Sequence, residues 1–330
     1  MEKFKAYRVH DVDKKVSARF EEMTVSELDA GEVVIRVAYS CVNYKDALAV
    51  TGAGRVIRRF PCVGGIDLSG TVVESGDARF AKGDAVLATS YDLGVSHDGG
   101  FAEYARVPAD WIVPMPRGMT LFEAMALGTA GYTAALGVVR MEHNGLKPAN
   151  GPVVVTGATG GVGSIAIDVL SKLGFAVTAL TGKESETAYL KGLGAKEVML
   201  RSGLDLSKVK PMDKMLWAGA VDNLGGEMLS WLMSTMKQSG TIASIGNAVS
   251  PNFSATVFPL ILRGVSLLGI DSGYTPMPLR REVWQRLATD MKPVHLKEIT
   301  VTVPFDELGG TFDKLIKGQM RGRFVVDMAA

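Results

Sequence analysis

Cysteine is scarce in this chain: Cys41 and Cys62 are the only two among 330 residues. Two thiols are too few for a disulfide-built scaffold or a four-thiolate metal lobe, and they suit a reducing compartment as free thiols. Charge of one sign is lacking as well. With 36 Lys and Arg against 35 Asp and Glu, the net charge is +1, so no long-range field draws the protein to nucleic acid or an anionic membrane. The opening MEKFKAYRVHDVDKK has no apolar signal core, and no unbroken apolar run reaches the roughly 18 residues that span a bilayer. Internal repeats, low-complexity tracts and long linkers are missing too. These absences lead us to expect a soluble, cytoplasmic protein.

What is present is ample core material, 47% apolar, in a chain long enough for two domains. The first third strings together short β-like runs, EVVIRVAYS, SGTVVES, DAVLATS and FAEYARV, punctuated by Gly, Asp and Pro, which predicts an irregular antiparallel sheet or barrel. From about Leu121 the texture turns helical and Ala-rich (LFEAMALGTAGYTAALGVVRM). Then VVVT, AVTAL, EVML, GAVDN, TIASIG and SLLGID alternate with helical segments, as the βαβ units of a parallel sheet require. The predicted class is α/β, with a six-stranded dinucleotide-binding domain over residues 126–271. The tail, with EITVTV, RFVVDM and one short helical pattern, is expected to return to the first domain, giving it residues 1–125 and 272–330.

The densest glycine cluster follows VVVT: Gly157, Gly160, Gly161 and Gly163 turn the chain into a helix expected to begin near Val162. Glycine is required where a pyrophosphate must approach backbone N–H groups at a helix N-terminus, since a Cβ would block that approach. The spacing G-A-T-G-G-V-G is one residue longer in its first interval than G-x-G-x-x-G, so the flanking strand and helix carry the inference. The second strand ends in Thr181, Gly182 and Lys183, with no acid at its tip for a ribose 2′-OH. A hydroxyl, a free backbone N–H and a cation suit a 2′-phosphate instead, which points to NADPH, with a solvated loop lysine as the alternative for Lys183.

Further motifs carry a resemblance. FPCVGGIDLSGTVVESGDARFAKGDAVLA, GGFAEYARVPAD, LGTAGYTAALGV and the glycine turn, in this order, resemble the medium-chain dehydrogenase/reductase superfamily over essentially the whole chain. That implies a GroES-like, partly open barrel made by both chain ends, a Rossmann domain inserted in it, and an active site in the cleft between them. The zinc-binding members carry ligands where this chain reads SCVNYKDAL and GGIDLSG, so no metal is expected. Within the zinc-free branch, VNYKDAL, TGKESETAYLKGLGA, LRGVSLLGIDS and GRFVVD most resemble the acrylyl-CoA reductase group, which reduces the conjugated double bond of acryloyl-CoA to propionyl-CoA with NADPH.

Such a reduction needs hydride at the β-carbon, stabilisation of the enolate and a proton at the α-carbon. The resemblance places Asn43, Tyr44, Asp46, Asp67 and Arg323 around the nicotinamide. Tyr44 either holds that ring and relays a proton or is an ordinary packing aromatic. Asn43 or Arg323 polarises the thioester carbonyl, or Asn43 merely caps a turn or helix; Asp46 and Asp67 orient these groups, and Asp67 pairs with Arg323 either in the site or as a structural ion pair joining the chain ends. For the cofactor it implies Thr159, Gly160, Gly161 and Val162 at the pyrophosphate, and Thr181, Gly182, Lys183 and Arg201 at the 2′-phosphate. Asn247, Ile261 and Ser272 fall on the nicotinamide side, and Thr133 either holds the carboxamide or merely begins a helix. Lys183 stands where close relatives often carry arginine, and Asn247 where an apolar residue is common. His97 is expected to be a solvated loop residue, and Arg55, Arg58 and Arg59 either bind CoA phosphates or form a solvated face. A homodimer through the SLLGID edge strand is implied. A quinone or alkenal reductase on the same fold, and a non-catalytic NADPH-binding regulator, are the competing functions.

Overall fold

The computed structural model describes residues 3–329. The chain forms two units: the first runs to Thr129 and takes back Gly273–Ala288 and the chain from Leu296 onward, while the second comprises Ala130–Ser272 and Thr289–His295.

The first unit opens with a hairpin of β1 (Phe4–Val12) and β2 (Lys15–Met23). Its turn residues Asp13 and Lys14 both take positive φ, the twist a two-residue hairpin loop needs. The β-branched run VVIRVAYSCV makes β3 (Val33–Val42), and Asn43 then leads into the helix α1 (Tyr44–Thr51). Short strands follow: β4 (Cys62–Val63), β5 (Asp67–Ser75), β6 (Ala85–Thr89), β7 (Tyr104–Val107) and β8 (Ile112–Pro114). Phe101, Val9, Val63 and Phe312 lie at the centre of one apolar core of this unit. Ile35, Leu68, Val86 and Ile112 fill a second.

Helix α2 (Leu121–His143) is long and apolar enough to cross a membrane by length and composition, which a search for unbroken apolar runs passes over. Of its apolar window 83% is buried in the protein, as in a core helix. Its helical geometry breaks at Gly128, at φ 51° and ψ −156°.

The second unit alternates β9 (Val153–Thr156), α3 (Gly161–Lys172), β10 (Val177–Thr181), α4 (Thr187–Gly192), β11 (Glu197–Leu200), β12 (Trp217–Asp222), α5 (Gly226–Thr235), β13 (Met236–Ser244), α6 (Phe258–Arg263) and β14 (Ser266–Gly269). The six strands pair in parallel in the order β11-β10-β9-β12-β13-β14. This is the doubly wound order 3-2-1-4-5-6, with its reversal between β9 and β12. Both faces of β9, β10 and β12 are buried, so these strands read as continuous apolar runs.

The chain then returns through α7 (Met277–Ala288), α8 (Leu296–Ile299), β15 (Thr300–Pro304), α9 (Gly309–Ile316) and β16 (Arg323–Asp327). Residues 289–295 between α7 and α8 stay with the second unit, where the buried Asp168 carboxylate accepts the N–H groups of Val294 (3.1 Å) and His295 (2.7 Å). Strand β16 joins the first unit's seven-stranded sheet between β15 and β3. Its antiparallel register sets Phe324 opposite Val42, which brings Arg323 beside the start of α1.

Candidate active site

Where β16 meets the β3–α1 junction, the buried side chains of Cys41, Asn43, Asp46, Asp67 and Arg323 form a polar cluster with Thr129. Asn43 sits at its centre. Its Nδ2 donates to Asp67 Oδ2 at 2.8 Å and to Asp46 Oδ2 at 3.2 Å, and its Oδ1 accepts from Arg323 Nη1 at 2.9 Å. Arg323 also donates through Nη2 to the Cys41 sulfur (2.9 Å), while the Cys41 thiol donates to Asp67 Oδ2 at 3.1 Å. Thr129 closes the cluster, giving Asp67 both its N–H (2.7 Å) and its hydroxyl (2.5 Å).

The expected direct pair between Asp67 and Arg323 is replaced by contacts through Asn43 and Cys41. The physical reason is saturation: the Asp67 carboxylate accepts from Thr129, Asn43 and Cys41, and the guanidinium is spread over Cys41, Asn43 and the carbonyls of Val42 and Ala126. Arg323, Asn43, Asp46 and Asp67 are all buried, whereas Tyr44 is 51% exposed. Tyr44 is therefore the expected residue open to a ligand; the other four act on one another.

Burial drives the electrostatics of the cluster. Desolvation and the neighbouring Asp67 push the Asp46 carboxyl up to about 7, against the hydrogen bonds from Asn43. The Cys41 thiol is driven well above its ordinary value by burial and by Asp67, so it stays a neutral donor. Asp46 is fixed at the head of α1 by accepting the Asn43 N–H (2.8 Å) and the Ile66 N–H (3.1 Å).

Cys41, Gly128 and Thr129 are cluster members that sequence reasoning passed over. A Cβ at Gly128 would lie 2.5 Å from Cys41 Sγ, 2.6 Å from Arg323 Nη2 and 2.8 Å from Asp67 Oδ2. The positive φ and this close approach both require glycine there. The available signal was a glycine inside a helical pattern, directly before Thr129.

In the second unit the glycine turn is built as the sequence implies, with α3 beginning at Gly161, next to the expected Val162. Gly157 takes φ +59°, and a Cβ at Gly163 would meet the Gly157 carbonyl at 2.4 Å, so the helix packs directly on the turn. Thr159 is buried, Gly160 is exposed, and Gly161 and Val162 stand in the first turn of α3, whose N–H groups have no carbonyl of a preceding turn to bond. Beneath the turn, the buried Asp222 accepts from the Thr156 hydroxyl (2.7 Å) and the Gly225 N–H (3.0 Å), and Asn223 Nδ2 donates to the Thr156 carbonyl at 2.7 Å.

At the tip of β10 the Thr181 hydroxyl is buried and accepts the Lys183 N–H at 3.0 Å, so that N–H is engaged rather than free. The Arg201 guanidinium lies over Gly182, 3.7 Å from where a Cβ would stand. Thr133 and Ser272, 139 positions apart, are joined by a 2.7 Å hydrogen bond. Asn247 is exposed and lines a cavity of about 340 Å³ with Gly225, Ser244, Gly246 and Phe253.

Ile261 is 69% exposed, with Phe258 and Leu262 also exposed on α6. Two other readings change. His97 is buried rather than solvated: its ring nitrogens lie 3.0 Å from the carbonyls of Asp98 and Ala30. Arg59 is tied to Asp29, Asp98 and the carbonyls of Ser96 and Pro61, which removes it from any phosphate cluster; Arg55 and Arg58 remain exposed.

Two family models match: the alcohol dehydrogenase GroES-like domain over residues 29–117 and the zinc-binding dehydrogenase over 161–301. Over 326 residues the chain is 47% identical to the putative quinone oxidoreductase YhfP of Bacillus subtilis, covering 98% of this chain and 99% of the relative. The chain belongs to the medium-chain dehydrogenase/reductase superfamily, in its zinc-free, quinone-oxidoreductase-like branch. The acrylyl-CoA reductase AcuI of Ruegeria pomeroyi is 42% identical over 96% of both chains. Among solved structures, the yhdH oxidoreductase of Salmonella enterica in complex with NADP matches with a TM-score of 0.95 at 42% identity, covering 98% of this chain and 99% of that one. The B. subtilis yhfP structure with NAD bound matches at 0.97 and 46%, covering 99% and 100%.

The zinc that names the second family model does not fit these residues. Among the described residues no group of three or more His, Cys, Asp or Glu side chains is placed to hold a metal ion. Beside Cys41 and Asp67 the cation is the guanidinium of Arg323.

Proposed function

We propose that this protein is an NADPH-dependent reductase of the conjugated carbon–carbon double bond of acryloyl-CoA, giving propionyl-CoA. The observation that carries the reading is the 42% identity to an acrylyl-CoA reductase over nearly the full length of both chains. The structure supports it with a cofactor half suited to a phosphorylated dinucleotide. Gly160, Gly161 and Val162 offer an open helix N-terminus to the pyrophosphate. The 2′-phosphate is assigned to Thr181, Gly182, Lys183 and Arg201, a reading supported by the Arg201 guanidinium over Gly182 and by the lack of an acid in Thr181–Lys183 at the tip of β10. A cavity of about 660 Å³ beside Arg201, floored by Leu204, Leu206 and Leu224, suits the flat adenine. Thr133, Ser272 and Asn247 serve the nicotinamide side, with Thr133 and Ser272 fixed by their mutual bond.

NADPH, when bound, supplies the hydride for the β-carbon. The chain's own residues supply the rest. Tyr44, at the start of α1, contacts the reacting groups, and its hydroxyl holds or passes the proton destined for the α-carbon. The Asn43, Asp46, Asp67 and Arg323 cluster fixes the head of α1 and holds the Arg323 guanidinium beneath it, a donor whose dipole favours negative charge developing on the thioester oxygen although Asp67 balances its charge. These four are positioning residues.

The enzyme works as a homodimer in the cytoplasm. The edge strand β14 has a free side, and next to it α6 exposes Val257, Phe258, Ile261 and Leu262, an apolar face suited to a second copy.

A second reading, NADPH:quinone reduction, is favoured by the 47% relative named a putative quinone oxidoreductase. Oxidation of NADPH and NADH, each followed with acryloyl-CoA and with a simple quinone, separates the two. Turnover of acryloyl-CoA with NADPH is the expected result; turnover of the quinone alone replaces the substrate, and no turnover on either leaves a cofactor-binding regulator.

A further inference from the structure

The chemistry above makes no use of a second polar assembly in the first unit, built around a wholly buried arginine. Arg280 of α7 donates through Nη1 to the Thr89 carbonyl (3.0 Å) and hydroxyl (2.9 Å), and through Nη2 to the Gly273 carbonyl at 3.0 Å. Its guanidinium lies 4.4 Å from the centre of the Tyr91 ring, which also stacks on Trp111 at 5.5 Å and 8°. Ser90 and Tyr91 both hold positive φ, 63° and 50°, a conformation that non-glycine residues keep only when their surroundings enforce it.

The assembly pins the segment around Tyr274. The Tyr91 N–H donates to the Gly273 carbonyl (3.1 Å) and its hydroxyl to the Thr275 carbonyl (3.3 Å). Between these anchors Tyr274 stays 54% exposed, its ring edge-on to Tyr91 at 6.3 Å and its hydroxyl donating to Asp92 at 2.9 Å. Arg58 reaches the same hydroxyl. Neither Arg55 nor Arg58 forms an ion pair among the described residues, in contrast to Arg59. An exposed ring held from both sides, with the Arg58 guanidinium at its hydroxyl beside Asp92 and Arg55 three positions upstream, is an arrangement for a ligand carrying both a flat or apolar part and phosphate.

Its place in the unit points to the substrate. Ser90, next to Tyr91, shares a 3.0 Å hydroxyl contact with Thr129, the partner of Asp67. Arg55 and Arg58 follow α1, whose first residue is Tyr44 and whose eight residues span about 12 Å. The platform is thus linked to the buried cluster beneath Tyr44 through the Ser90–Thr129 contact. We propose that Tyr274 and Arg58, assisted by Arg55, form the binding site for the phosphate-bearing nucleotide tail of the thioester substrate.

This rests on the acryloyl-CoA reading, and one set of assays separates the two. Acryloyl-CoA and acryloyl-N-acetylcysteamine, the same thioester without the nucleotide, are compared on the wild type, Arg58→Ala, Arg58→Lys, Tyr274→Ala and Tyr274→Phe, with NADPH affinity measured by fluorescence. In Arg58→Ala and Tyr274→Ala, KM for acryloyl-CoA rises roughly tenfold with kcat within about twofold, and NADPH affinity and the truncated substrate are unaffected. Arg58→Lys and Tyr274→Phe recover part of the loss. Equal losses on both thioesters, an unchanged KM, or weakened NADPH binding overturns the assignment, the last by giving the platform to the cofactor. A wild type that ignores acryloyl-CoA overturns the enzyme reading itself.

Discussion

The guanidinium of Arg323 donates to the sulfur of Cys41 at 2.9 Å, across 282 positions of sequence. A strand from the end of the chain thereby delivers a permanent cation to the junction of β3 and α1, where Asp67 and Asp46 are buried. The cation needs its planar fork, because Cys41, Asn43 and the Val42 carbonyl are served from its two terminal nitrogens. Arg323→Lys keeps the charge and loses the fork, and is expected to lower kcat by about a hundredfold or more. NADPH affinity stays close to wild type. A variant with kcat within a few-fold of wild type would remove Arg323 from the account.

Gly128 is where the cluster tolerates no side chain. Gly128→Ala places a methyl within 2.8 Å of Cys41, Arg323 and Asp67 and strains a residue at φ +51°. We expect a loss of about 2–4 kcal/mol in stability, read by denaturant unfolding, together with most of the activity.

The raised Asp46 carboxyl links stability to pH. Its value climbs from 3.8 to about 7 on folding, so between these two the native state holds a proton the unfolded chain has released. Its contribution is present in full below the unfolded value and is lost as pH rises through about 7. Asp46→Asn abolishes that linkage. The fall in Tm between about pH 4 and pH 8 is expected to be smaller in the variant than in the wild type.

Both thiols are protected. Burial and Asp67 hold Cys41 well above the ordinary thiol range, and burial with Asp98 pushes Cys62 up to about 12. A disulfide reagent applied to the native protein at neutral pH is expected to titrate neither cysteine within minutes, and both after denaturation.

Arg201 is expected to discriminate the cofactors. Arg201→Ala weakens NADPH binding by roughly tenfold to a hundredfold and leaves NADH nearly unchanged, since only the former brings a phosphate to the guanidinium lying over Gly182. Equal weakening of both would place Arg201 elsewhere in the site.

Most of the fold was legible because its signals are local. The glycine turn, the runs VVVT to SLLGID and the missing acid at Thr181 lie within continuous stretches, whereas the sheet order is seen only in the structure. The tail was less so: α7, MPLRREVWQRLA, is too polar to show a strong apolar stripe, and its buried Arg280 is legible only once Thr89 and Gly273 are seen to surround it. The candidate site was legible as residue types and blurred as contacts. Asp67 and Arg323 suggested an ion pair, yet Cys41 and Asn43 come between them because register places Phe324 opposite Val42. Arg59 read as part of a basic cluster because Asp29, its partner, lies 30 positions upstream.

The most direct test of metal-free conjugate reduction follows the hydrogen itself. Acryloyl-CoA is reduced with NADPH deuterated at the transferred position, in ordinary water, using protein dialysed against a chelator. The account predicts propionyl-CoA with one deuterium on its β-carbon and none on its α-carbon, at an undiminished rate. Deuterium at the α-carbon, or activity that returns only with added metal, would contradict it.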